Sequence, residues 1–161
     1  MNDDVPKRRR RFRIAFAAKL RRAPLRAATG AYILNEGLGK MTANDEEKAK
    51  AVHAMASDAY PILGKIDPKL FLKLLGAAET ALGAALLMPI VPAAVAGLGL
   101  TSFGGALLGV YWRTPHLHEP NSPRPTPHGT AIAKDVWMAG IGVNLLLDAA
   151  LSESKVTATE P

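Results

Sequence analysis

No cysteine occurs among the 161 residues, which excludes disulfides, thiolate nucleophiles and cysteine-ligated metal centres and leaves the redox compartment open. Charge is missing from the middle of the chain. Residues 80–112 hold no Asp, Glu, Lys or Arg across 33 positions, and residues 70–112 hold only Lys73 and Glu79. A soluble helical domain repeats charges along each helix to keep a wet face; this chain separates its charges from its apolar stretches, as a membrane protein does. Also missing are a Ser-His-Asp order, a catalytic carboxylate pair, a phosphate loop and a dinucleotide fingerprint, because Gly97-Leu98-Gly99 has no strand before it and no helix start after it. Aromatic residues amount to 6% and are not interleaved with any basic face, which argues against a nucleic-acid module.

What is present begins with a basic opening. Ten of the twenty Lys and Arg fall within the first 26 residues. The apolar stretch after Arg13 runs only from Ile14 to Ala18, too short for the centre of a signal peptide, so the segment reads as a retained cytoplasmic anchor. Residues 1–25 are expected to be a basic cytoplasmic segment, disordered to residue 13. Residues 14–23 then form a short amphipathic stretch closed by Pro24, with Arg21 and Arg22 facing anionic headgroups.

A hydrocarbon core of ~30 Å needs about 20 apolar residues per helix. Residues 26–41 form the first candidate span, interrupted by Asn35 and Glu36 and credible if Arg26 and Lys40 snorkel to opposite interfaces while Glu36 faces other helices. Residues 42–69 are polar, with Asp45, Glu46 and Glu47 near the start of a helical stretch reaching about Ser57. The long uncharged run is divided at Pro89 and Pro92, because proline removes a backbone donor and clashes with the preceding turn. Two further spans result, 70–88 and 91–112, joined by a tight turn. Residues 114–128 carry five prolines and cannot be helical throughout. The last span is 130–151, and 152–161 is a polar tail. The fold class is therefore all-α, an antiparallel four-helix transmembrane bundle (26–151) with a short amphipathic N-terminal helix. The excess of Lys and Arg in the first 26 residues puts both termini in the cytoplasm and both longer loops outside.

The first span resembles the opening helix of the DoxX-like family of integral membrane proteins, through Arg26, Gly30, Gly37 and Lys40. Glu79 and Gly83 in the second span are similar to that family's Glu-x-x-x-Gly element, and Lys134-Asp135 to its usual entry to the last helix. The likeness covers about residues 26–151. The chain departs from it in its longer basic opening, in Asn35-Glu36 and in the histidine- and proline-rich loop. The resemblance implies a multi-pass protein of the bacterial inner membrane. It also implies a role as a non-catalytic subunit or anchor docking a redox or oxidative-stress partner protein, the alternative being a component of a quinone-linked oxidoreductase.

Ionisable side chains within spans are costly, ~2.5–3.5 kcal/mol for a central Lys, Arg or Asp, so they are expected to face inward and pair. An intramembrane polar cluster of Glu36, Lys73 and Asp135 is expected toward the outer half, with Glu79 closer to the middle, and an Arg26–Asp148 pair at the inner surface. The first reading is that these pairs fix helix register and orientation; the alternative is that Glu79 and its neighbours form a proton relay or line a quinone pocket. Glycines at 30, 37, 76, 83, 97, 104 and 105 recur at near-heptad spacing, and Gly105 with Gly109 makes a GxxxG. They point to close helix packing within one subunit, with a homodimer as the alternative. His53, His116, His118 and His128 fall in the two external loops and with Glu119 could bind zinc or copper, although solvated loop histidines are commoner and no spacing matches a zinc signature.

Overall fold

Asp67 opens the most apolar half of the chain by capping a helix: its carboxylate accepts from the backbone N–H groups of Lys69 and Leu70 at 3.0 Å, and Pro68 fills the first helical position. The computed structural model describes residues 4–157 of the chain, and within them the architecture is all-helical. Its elements are α1 (Asp4–Thr42), α2 (Glu46–Ala59), α3 (Pro68–Leu87), α4 (Ala93–Arg113), a single turn α5 (Thr130–Ala133) and α6 (Val136–Thr157). Short 3-10 segments at Pro61–Lys65 and Pro115–Leu117 fill two of the connections. Asp45 caps α2 by accepting from Lys48 N–H at 2.9 Å, with Glu46 and Glu47 in the first turn as the charge pattern anticipates.

The first helix corrects the expected domain boundary. Residues 4–13 are helical rather than disordered, and α1 runs on without a break through Pro24 for 39 residues; residues 1–3 lie outside the described residues. Proline costs one backbone hydrogen bond and a clash, about 3 kcal/mol. Here the helix is fastened on both sides of the defect, by Arg21 and Arg22 to α6 and by Arg26 to the α3–α4 turn.

Packing proceeds by pairs. Gly37 of α1 meets Gly76 and Thr80 of α3, and Gly30 meets Gly83 and Leu86, so the two helices run antiparallel. A Cβ on Gly37 would lie 2.5 Å from the Thr80 nitrogen, and one on Gly83 2.5 Å from the Leu34 nitrogen. Only glycine permits backbones to come so close. The second pair, α4 and α6, is built the same way from Gly97, Gly104 and Gly142. Ile33, Leu86, Leu100, Met138 and Leu145 from all four long helices close the core between the pairs. At one end, Ala59, Val110, Tyr111 and Leu117 form a second core beneath α2 and the proline-rich loop. Gly105, by contrast, has nothing within 4 Å of a built Cβ.

Among the described residues three helices are long and apolar enough to cross a membrane: Pro68–Leu87, Ala93–Arg113 and Thr130–Ser152. Only 28%, 33% and 17% of their apolar windows is buried inside the chain, so most of that surface needs cover from outside. Leu74, Leu98, Val143 and Leu147 all point outward.

Candidate functional site

Lys40 stands in the last turn of α1, three residues after Gly37, and Glu79 stands on α3 three residues after Gly76. Because those two glycines touch, the side chains that follow them meet: Lys40 Nζ is 2.8 Å from Glu79 Oε2. The same nitrogen lies 3.3 Å from Glu36 Oε2, one turn earlier on α1. The Glu79 side chain is 8% exposed and Lys40 13% exposed, whereas Glu36 is 45% exposed. One ammonium therefore serves two carboxylates, one buried and one at the surface of the bundle.

This differs from the expected cluster in its cation and in the setting of Glu36. Lys73 is exposed, on the wall of a cavity it shares with Asn44, Asp45 and Lys69, and it does not join Glu79. At 3.6 residues per turn it lies about 120° around α3 from Glu79, so it cannot share that face. Glu36 is not enclosed by the other helices as expected but is largely exposed, reaching along α1 to Lys40. Asp135 is half-buried at the turn before α6 and makes no ion pair within 4 Å among the described residues. The sequence signal for Lys40 was its four-residue spacing from Glu36, which marks a same-face pair, combined with glycines three residues upstream of each partner.

A second charge cluster lies toward the other end of the bundle, near the middle of α1. Asp148 of α6 receives Arg21, with Nε at 2.8 Å, and Arg22, whose Nη2 also donates to the Asp148 carbonyl at 2.8 Å and to Ser152 Oγ at 2.9 Å. The expected Arg26–Asp148 pair is not formed. Arg26 instead donates to four carbonyl oxygens, those of Ala85 (2.8 Å), Leu86 (2.8 Å), Met88 (2.9 Å) and Val91 (3.0 Å). The reason is chemical. The last carbonyls of a helix lack backbone partners, and the following Pro89 and Pro92 have no N–H to offer. A guanidinium with five donors fills the deficit.

Two of the four histidines are used for packing. His53 Nε2 is 3.0 Å from the Leu63 carbonyl and 3.2 Å from Ser57 Oγ, with its ring edge-on to Phe71. His118 stacks on Trp112 and places Nδ1 3.1 Å from the Glu119 carbonyl. His116 and His128 are exposed. Among the described residues no three His, Asp or Glu side chains are grouped as metal ligands, and His53, His116, His118, His128 and Glu119, the less favoured zinc or copper alternative, are not gathered into such a group.

No family model, curated protein or solved structure matches this chain. The functional reading therefore rests on the geometry above.

Proposed function

We propose that this chain is a four-span membrane protein of the DoxX-like kind, working as a non-catalytic subunit or anchor for a redox or oxidative-stress partner at the bacterial inner membrane. In this reading the second half of α1 is the fourth span. Its composition alone does not qualify it, but it is interlocked with α3 from Gly30 to Lys40. Any membrane that α3 crosses must therefore contain that stretch of α1 as well. The carrying observation is the Lys40–Glu79 ion pair: the ionisable groups that such a span brings into lipid turn inward and meet, as the cost of burying them demands.

Orientation follows from charge. The basic first half of α1 is cytoplasmic, as is the α6 end, and it offers the partner a docking arm; the turn at 88–92 lies on the same side. Because the chain has no cysteine, single cysteines report topology without background. In intact cells Arg124→Cys is expected to react with a membrane-impermeant maleimide, and Ser154→Cys only after lysis. Release of the protein by sodium carbonate, or the reverse labelling pattern, would overturn the reading. The docking role is tested by copurification in mild detergent: a partner recovered with the intact chain is expected to be lost when Arg8, Arg9, Arg10 and Arg11 become Gln. Equal recovery with that variant would remove the arm from the proposal.

A further inference from the structure

Beyond Arg26, α1 leaves α3 behind and runs past the α3–α4 turn, opening a hollow on each side of a ridge made by Lys19 and Arg22. One hollow, about 410 Å³, lies between α1 and the turn, with Arg26 at its base and Leu87, Pro89 and Ile90 as its outer wall. The other, about 570 Å³, follows the start of α4 and is walled by Ile14, Ala15, Ala18 and Ala94. Lys19 and Arg22 line both, and no acidic side chain lines either. The cations differ in how far they are already engaged. Arg26 is taken up by four carbonyls, and Arg22 uses Nε and Nη2 on Asp148 and Ser152 while its Nη1 makes no hydrogen bond. Among the described residues Lys19 has no partner. Among the described residues this end of the bundle sets Lys19, Arg21, Arg22 and Arg26 against Asp148 alone.

The hollows are amphipathic as well as basic. Ile90 is 84% exposed, Met88 44% and Leu87 39%, directly beside the cations. A free phosphate would leave that apolar wall wet, and an acidic peptide would have to bury it at the height where the apolar surface of α3 and α4 ends. A phospholipid meets both halves at once, its phosphate among cations and its chains along the hydrocarbon-facing wall.

On these grounds we infer that the Lys19–Arg22 ridge is a docking site for an anionic phospholipid, phosphate on Lys19 Nζ and Arg22 Nη1, acyl chains over Leu87 and Ile90. The inference rests on the membrane reading above. It moves the lipid contact expected for Arg21 and Arg22 onto Lys19 and the remaining Nη1 of Arg22, because Asp148 engages the other donors of Arg22 and holds Arg21.

The test uses the full chain purified in a neutral detergent, titrated separately with phosphatidylglycerol, phosphatidylcholine and inorganic phosphate and followed by thermal unfolding and native mass spectrometry. Phosphatidylglycerol is expected to raise the midpoint and remain bound where the other two do not. Lys19→Gln, which breaks no contact in the fold, is expected to weaken phosphatidylglycerol binding about fivefold, the scale of one lysine at an anionic surface. Ala94→Glu, which puts a carboxylate into the wall, is expected to abolish the binding while leaving the lipid-free midpoint unchanged. An equal response to phosphatidylcholine, a full response to inorganic phosphate, or an unaltered response in both variants would overturn the lipid site. Carbonate extraction of the same proteins separates the two failures: retention in the membrane with no lipid discrimination sinks this site alone, whereas release sinks the membrane reading beneath it.

Discussion

In a low-dielectric slab an ammonium beside two carboxylates satisfies the buried one first, because only there is water absent as a competitor. Lys40 accordingly sits closer to Glu79 than to Glu36. Lys40→Met leaves Glu79 buried without a counter-charge and is expected to cost about 3–5 kcal/mol, the usual penalty for breaking a buried pair. Lys40→Met combined with Glu79→Leu is expected to recover most of that loss in a detergent-denaturation series; recovery of none of it would mean that the pair is not what joins α1 to α3. Arg26 makes a different demand. Arg26→Lys keeps the charge but cannot reach four carbonyls from one nitrogen, and a drop of about 2–3 kcal/mol is expected from the lost charged hydrogen bonds. A thermal midpoint unchanged from wild type would show that the turn at 88–92 holds itself. At this scale the sequence told only part of the story. That Glu79 is buried followed from its apolar surroundings. That Lys40 rather than Lys73 is its partner did not, since the choice depends on which faces of α1 and α3 the glycines bring together. The Arg26 clamp was hidden for a related reason: its acceptors are backbone carbonyls, which leave no trace in side-chain pattern.

Helix ends were the most legible feature, because caps and prolines act locally. The expected spans 70–88, 91–112 and 130–151 fall within a few residues of Pro68–Leu87, Ala93–Arg113 and Thr130–Ser152. α1 was misread as two pieces, since Pro24 is a strong local signal and the contacts that overrule it lie more than 50 residues away in sequence. The correction is measurable. Spin labels at Ala17 and Leu38, both exposed, are 21 residues apart and should show a narrow separation near ~31 Å for one straight rod at ~1.5 Å per residue; a broad or much shorter distribution would restore the hinge. Glycine substitutions divide by the same logic. Gly37→Ala must push α1 from α3 at the Thr80 nitrogen and is expected to cost about 1–3 kcal/mol, as overpacking does. Gly105→Ala meets nothing within 4 Å and should be neutral or stabilise by up to about 1 kcal/mol through helix propensity. Equal losses at both positions would mean that Gly105 is also covered, as in a homodimer packed through its GxxxG.

At the scale of the molecule the four long helices are two antiparallel pairs, α1 with α3 and α4 with α6, each zipped by glycines, and the question is what keeps the pairs together. Among the described residues the ties between them include these three: the core around Ile33, Leu100 and Leu145, the Arg26 clamp on the α3–α4 turn, and the Arg21–Arg22–Asp148 cluster. The last is the only one of the three made of side-chain charges, and it lies at the end where the bundle meets water and headgroups, so it is the tie most open to salt and to lipid. Asp148→Asn removes the charge that two guanidiniums share while keeping the size of the side chain. The α1 and α6 ends are then expected to separate, and spin labels at Ala15 and Ser154 should change from a narrow distance distribution to a broad one. Labels at Leu38 and Leu74 on the α1–α3 pair should keep theirs, because the Gly37–Gly76 contact and the Lys40–Glu79 pair are untouched. If both distributions broaden together, the pairs are not independent units and the bundle melts as one. If neither does, the apolar core alone holds the pairs, and the arginines at this end are free to serve the lipid surface.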